Sequence, residues 1–245
     1  FIRHEFDVSE KLSDGENTLR VHIFSPLAYA HYRPFDLSAI CYSGHIGFNG
    51  TATALRKAPH SFGWDIMPRA VTSGLWRDVR LELRDPVRFR QLFFKTDLRG
   101  FDIAYELESS YADFRNIELA FSGKCGDSTF YKRFPAKWKI GAGERVSVEA
   151  PKLWWPYGYG EANLYDTTVT VYSDGVPVHT EKHKIGLRTV ELDRTDYTDG
   201  SNGKFRFIIN GVEIMCRGSN WVPLDAFHGR DMEHMTSTLD LFDDM

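Results

Sequence analysis

The run Phe101-Asp102-Ile103-Ala104-Tyr105-Glu106-Leu107-Glu108 alternates bulky apolar residues with polar or small ones. A period of two places Phe101, Ile103, Tyr105 and Leu107 on one side of a strand; a helix would scatter them around its axis. The same alternation recurs at Leu19, Val21 and Ile23, and at Val79, Leu81 and Leu83. Val169 and Val171 lead into Asp174-Gly175, a two-residue hairpin turn, and Val176 to Thr180 runs back. Strands this short, evenly spaced and with few helical stretches between them predict a mostly β protein built from β-sandwiches.

Two joints divide the chain. Arg84-Asp85-Pro86 is expected to end a strand with a turn-making dipeptide. From there, about 100 residues of strand pattern run to Ile185, the size of one immunoglobulin-like sandwich. A second joint lies around Gly186 to Leu192, and Thr195 to Gly203 reads as a polar surface loop. The pattern then changes. Phe205–Ile209, Asn210-Gly211 and Val212–Cys216 predict a hairpin. Met232, Met235, Leu239 and Phe242 recur at helical spacing, with Asp231 as the expected N-cap. Strand, loop and helix after two sandwiches read as the first strand–helix unit of a (β/α)8 barrel. The expected domains are therefore 1–84, 85–187 and 188–245.

Composition narrows the function classes. A chain of 245 residues with 42% hydrophobic side chains can hold one large domain or two to three small ones, without staples. The net charge is −4 and there is no basic block, which disfavours nucleic acid. No apolar run approaches the roughly 20 residues of a membrane helix. Cys41, Cys125 and Cys216 are odd in number and far apart, so neither a disulfide framework nor a metal-ligand spacing is present. His179 and His183 would share one face of a strand, but no metal site and no cofactor is expected. The cysteine count fits cytoplasm and periplasm equally. The chain opens on Phe1-Ile2-Arg3, without an initiator Met or signal segment, and stops inside a helical pattern. It is expected to be a segment of a larger protein.

The chemistry concentrates in Phe62-Gly63-Trp64-Asp65-Ile66-Met67-Pro68-Arg69, followed by Thr72-Ser73-Gly74-Leu75-Trp76-Arg77, expected to run into a strand. A flat indole stacks on the C–H face of a sugar ring. A neighbouring carboxylate accepts hydrogen bonds from two adjacent hydroxyls. The competing reading is a core Trp beside an Asp that orders its own loop.

Four segments carry a resemblance. Arg56-Lys57-Ala58, Phe62-Gly63-Trp64-Asp65, Leu153-Trp154-Trp155-Pro156-Tyr157-Gly158-Tyr159-Gly160 and Arg217-Gly218-Ser219-Asn220-Trp221-Val222-Pro223-Leu224-Asp225 occur in that order. Together they resemble the β-mannosidase branch of glycoside hydrolase family 2. Ile66 and Met67 depart from the Trp-Gly usual there, which removes a second aromatic wall. The resemblance implies that residues 1–84 are the C-terminal part of a jelly-roll-type sugar-binding sandwich. It also implies a retaining exo-glycosidase acting on terminal β-linked sugars, a β-mannoside or related oligosaccharide being the partner. Trp64 and Asp65 would then bind the terminal sugar, joined by Asn220, Trp221 and Asp225 at the barrel mouth. Trp154 and Trp155 read instead as an anchor between sandwich and barrel. Retaining glycosidases need two carboxylates about 5–5.5 Å apart. In this family both are glutamates on later barrel strands, one following an Asn, and no Asn-Glu dipeptide occurs here. No catalytic residue is therefore assigned, and the segment alone is expected to be inactive. A β-galactosidase or β-glucuronidase is disfavoured by Asn220-Trp221-Val222-Pro223, where those relatives carry a basic residue and His-Glu. The alternative of another class is a carbohydrate-binding or adhesion protein of tandem sandwiches, which leaves the final helix unexplained. The sequence does not report the oligomeric state.

Overall fold

The structure is a computed structural model that describes residues 3–33, 42–43, 47–48, 50–110, 116–194 and 203–244. It contains two compact units, one of residues 82–218 and one of residues 1–81 with 219–245.

In the second of these, helix α1 (Pro26–His31) starts where Ser25 Oγ accepts from the Ala28 N–H, with Pro26 in the first turn. Strands β1 (Tyr42–Ser43) and β2 (Gly47–Phe48) pair antiparallel. Short 3-10 turns follow at Gly50–Ala54 and Pro59–Phe62. The strands expected at residues 19–23 and 79–83 do not form. Leu19, Val79, Leu81 and Leu83 are exposed, Leu83 fully. Alternation defines two faces, but a neighbouring ladder and a facing layer make the strand. Among the described residues these runs have neither.

The 82–218 unit is a seven-stranded antiparallel sandwich with a small sheet attached. Strands β3 (Val87–Thr96), β4 (Gly100–Ser109) and β7 (Ile140–Ser147) form one layer in the order β3-β4-β7. Strands β5 (Ile117–Cys125), β6 (Ser128–Pro135), β8 (Tyr165–Ser173) and β9 (Val176–Ile185) form the other, in the order β6-β5-β8-β9. Phe101, Ile103, Tyr105 and Leu107 all point inward and are buried, as their alternation requires. They meet Leu119, Phe121, Val169 and Val171 from the facing layer, in one core with Phe130 and Phe134. Fully burying each such side chain stabilises the fold by about 1.5–3 kcal/mol. Asp174 and Gly175 both take positive φ, 50° and 78°, in the tight turn between β8 and β9. Tyr165 opens β8 with its ring buried and its hydroxyl accepting from the Lys152 N–H at 2.9 Å, which ties the start of β8 to the connection that precedes it.

Strands β10 (Val190–Arg194), β11 (Phe205–Ile209) and β12 (Val212–Ile214) form a three-stranded antiparallel sheet in that order. The expected hairpin is present, turning at Asn210 (φ 51°) and Gly211 (φ 80°), although its second arm ends at Ile214 and not at Cys216. Arg206 ties the three strands together, reaching Asp193 on β10 at 2.7 Å and Glu213 on β12. Residues 195–202 of the expected surface loop, and Cys41, lie outside the described residues.

Helix α2 (Asp231–Asp243) falls where the Met232/Met235/Leu239/Phe242 spacing places it. Asp231 is its first residue and not its N-cap: Arg230 holds the cap position, and Asp231 Oδ1 accepts from the Asp225 N–H in the preceding loop at 3.0 Å. Among the described residues no helix is long and apolar enough to cross a membrane.

Candidate functional site

The Trp64–Asp65 pair sits on a tight turn. Trp64 and Met67 exchange both backbone hydrogen bonds, at 3.0 and 3.1 Å, leaving Asp65 and Ile66 at the corners. The turn is fixed from below. Phe62 and Met67 are buried, and the Arg69 guanidinium donates to the Phe62 carbonyl at 3.0 Å. The Ala70 N–H returns to the Ser61 carbonyl, and Gly63, at φ 110°, ends the 3-10 turn by donating to the His60 carbonyl. Trp64 is 43% exposed and Ile66 is 63% exposed. Asp65 is exposed too, and among the described residues its carboxylate accepts no hydrogen bond. An Asp that ordered its own loop would be bonded to that loop. Here backbone pairing and Arg69 do the ordering, and the carboxylate is left for something else. Upstream on the same stretch, partial burial lowers the Lys57 ammonium from its ordinary value.

The second expected group lies between β12 and α2. Asn220 is exposed, with no hydrogen bond among the described residues. Trp221, half exposed, leans on Phe242 of α2 with ring centroids 6.4 Å apart. Asp225 differs from both. Its Oδ1 accepts from the Phe227 N–H at 2.8 Å, and its Oδ2 faces Arg230 Nη1 at 3.4 Å and His234 Nε2 at 3.6 Å. Only 15% of its side chain is exposed. Among the described residues no hydrogen bond, ion pair or ring contact joins Trp64 or Asp65 to Asn220, Trp221 or Asp225.

Trp154 joins parts of the 82–218 unit, while the Trp155 N–H donates locally to the Glu161 carbonyl. The Trp154 N–H donates to the Leu187 carbonyl, and the Arg188 guanidinium lies 4.3 Å over its indole. Gly186 makes the close approach possible, since a Cβ there would stand 2.9 Å from Trp154. The Trp154 carbonyl accepts from Asn210 Nδ2 at 3.0 Å. The Tyr159 hydroxyl accepts from the Met215 N–H at 2.8 Å. The segment therefore bonds the β11–β12 hairpin at its turn and at its exit. Sequence reasoning took Asn210 only for a turn former and gave Tyr159 no role. Their partners lie 56 residues away in each case, beyond any local signal.

His179 and His183 do share one face of β9. His179 Nδ1 meets Asp85 Oδ2 at 2.5 Å, its Nε2 meets Glu181 Oε1 at 3.0 Å, and His183 Nε2 meets Glu181 Oε2 at 2.9 Å. Carboxylates take up these nitrogens. Among the described residues no group of three or more His, Cys, Asp or Glu is disposed to hold a metal ion.

Residues 1–77 match the family model described as glycosyl hydrolase 2 galactose-binding domain-like, and residues 87–188 match that of glycosyl hydrolases family 2. The chain belongs to glycoside hydrolase family 2. Within the family, beta-mannosidase B of Aspergillus terreus is 34% identical over 236 residues, which cover 92% of this chain and 27% of that protein. Beta-mannosidase B of Neosartorya fischeri is 33% identical over 186 residues, 73% of this chain and 22% of that one. Among solved structures, β-D-mannosidase from Dictyoglomus thermophilum superposes with a TM-score of 0.67 at 27% identity, covering 82% of this chain and 24% of that chain. The chain spans about a quarter of the length of the relatives it matches.

Proposed function

We propose that the whole protein is a retaining exo-glycosidase of the β-mannosidase type, hydrolysing terminal β-linked sugars. In this reading the chain supplies part of the sugar pocket and the scaffold behind it. Its domains are the end of the sugar-binding sandwich (1–84), the immunoglobulin-like sandwich (85–187) and the start of the catalytic barrel (188–245). The observation that carries the reading is Asp65: an exposed carboxylate with no partner among the described residues, beside an exposed indole, on a turn whose order does not depend on it. A carboxylate so placed accepts hydrogen bonds from a ligand without first breaking internal ones. Trp64 offers the apolar face against which a sugar ring stacks. Asn220 and Trp221 are the further contacts, the amide donating to one hydroxyl and accepting from another. Ile66, where the resemblance implies Trp, leaves this pocket without a second aromatic wall. The names of the relatives direct the choice of β-mannoside over other sugars.

The test is turnover of aryl β-mannoside, β-galactoside and β-glucuronide by the whole protein, beside the 245-residue chain alone. The expected result is preference for the mannoside by the whole protein and no turnover by the chain, which holds neither catalytic glutamate. Saturable mannoside binding without turnover by the whole protein would favour the carbohydrate-binding alternative. Turnover by the chain alone would refute the assignment of the catalytic pair to residues outside it.

A further inference from the structure

The polar residues expected at the sugar site divide into two kinds. Asp65 and Asn220 are exposed and, among the described residues, hydrogen-bonded to nothing. Asp225 is mostly covered and uses both carboxylate oxygens within its own loop. Oδ1 holds the Phe227 N–H, and Oδ2 faces Arg230 and His234 at the start of α2. The Asp225 backbone N–H is taken by Asp231, the first residue of the helix. The loop is thus tied to the N-terminal end of α2 through both the side chain and the backbone of one residue. At the far end of the same helix, Phe242 receives the Trp221 indole. Residues 221–225 lie between these two attachments, and Asn220 immediately precedes the first.

We infer that Asp225 is a positioning residue of the sugar site and not a sugar ligand: it clamps the loop to α2 and so fixes where Asn220 is presented, Trp221 being held by its own contact with Phe242. The inference rests on the proposed reading of Asn220 as a sugar contact. A carboxylate that already accepts from a backbone N–H and faces two cationic or donor side chains would have to give up those partners to take a sugar hydroxyl. Asn220 has none to give up among the described residues. Holding a loop in its binding geometry before the ligand arrives lowers the ordering entropy lost on binding. Loss of the clamp should therefore weaken the sugar contact without touching the reacting atoms.

The test is a double-mutant cycle in the whole protein, read as KM and kcat on an aryl β-mannoside. Asp225→Asn keeps an acceptor for Phe227 but removes the charge facing Arg230 and His234. It is expected to raise KM by about threefold to tenfold with kcat within about twofold, the pattern of lost uniform binding. Asn220→Ala should raise KM as well, and the double variant should be no worse than Asn220→Ala alone, because Asp225 acts through that residue. Multiplying effects would overturn the inference by making Asp225 an independent sugar ligand. A change in thermal stability with KM unmoved in Asp225→Asn would overturn it by leaving Asp225 a purely structural role. An unchanged KM in Asn220→Ala would sink the sugar-contact reading of Asn220, and the inference with it. Arg230→Gln, which weakens the same clamp from the helix side, carries the same cycle if Asp225→Asn does not fold.

Discussion

The side-chain amide of Asn210 closes on the backbone of Trp154: Nδ2 donates to the Trp154 carbonyl at 3.0 Å while Oδ1 accepts from the Thr189 N–H at 2.9 Å. One residue thus makes the β11–β12 turn, through its positive φ, and joins that turn to the connection between β7 and β8. Each requirement has its own substitution. Asn210→Gly keeps the backbone conformation and loses both side-chain bonds, so it should destabilise the β10–β12 sheet by about 1–3 kcal/mol. Asn210→Ala loses the bonds and adds the strain of a left-handed alanine, about 1 kcal/mol more. Hydrogen exchange of the β11 amides checks the order. Protection equal to wild type in Asn210→Gly, with loss only in Asn210→Ala, would show that Asn210 is only a turn former.

The strands of the 82–218 sandwich were legible in the sequence and those expected at 19–23 and 79–83 did not form, for one physical reason. Phe101 to Leu107 alternates, and the chain also supplies β3 and β7 on either side and Phe121 and Val169 opposite. Leu19 to Ile23 and Val79 to Leu83 alternate just as well, but the described residues hold no ladder for them. Trp64-Asp65 could be read as a sugar-binding pair from residue types alone. That Asp65 has no partner among the described residues while Asp225 is bonded to its loop and to α2 depends on which donors fold back on each carboxylate, and local sequence does not encode that. His179 and His183 follow the same rule. Their shared face follows from strand periodicity, but Asp85 lies 94 residues from His179.

Tyr165 tests how far the immunoglobulin-like unit depends on one buried hydroxyl. Its hydroxyl accepts from the Lys152 N–H and meets Ser128 Oγ at 2.7 Å, and both Tyr165 and Ser128 are buried. Tyr165→Phe keeps the packed ring and leaves those partners facing a hydrocarbon edge, an expected loss of about 1–3 kcal/mol. Ser128→Ala should lose less, since Tyr165 then still holds Lys152. Exchange rates of the β5 and β8 amides report the opening of this layer. A silent Tyr165→Phe would mean that ring burial alone holds the start of β8.

Asp97 makes part of the sandwich's stability depend on pH. The Arg145 guanidinium, 2.8 Å away, holds the Asp97 carboxyl below its ordinary value, and the Arg99 N–H adds to this. A carboxyl depressed in the folded state binds fewer protons there than in the unfolded chain. Its contribution is therefore complete above the unfolded value of about 3.9 and is lost as pH falls through the folded value. The pair is more than a third exposed, so solvent screening limits it to at most about 1 kcal/mol. Asp97→Asn should lower stability by that amount at pH 7, and the gap to wild type should close in strong acid. A gap that stays constant down to strong acid would place the effect in turn geometry and not in charge.

Asp65 separates binding from folding most cleanly. Among the described residues its carboxylate has no partner, and the turn beneath it is held by the Trp64–Met67 pair and Arg69. Asp65→Ala in the whole protein should therefore leave the melting temperature unchanged to within about 1 °C, since surface substitutions away from such features are nearly neutral. The same variant should cut kcat/KM on an aryl β-mannoside by more than about tenfold, or roughly 1.4 kcal/mol of transition-state binding. Arg69→Ala should do the reverse in order of cause: it removes the bond to the Phe62 carbonyl, loosens the turn, and costs stability before it costs activity. Unchanged kcat/KM in Asp65→Ala would reduce Asp65 to an ordinary surface carboxylate. A stability loss matching that of Arg69→Ala would return it to the role of ordering its loop.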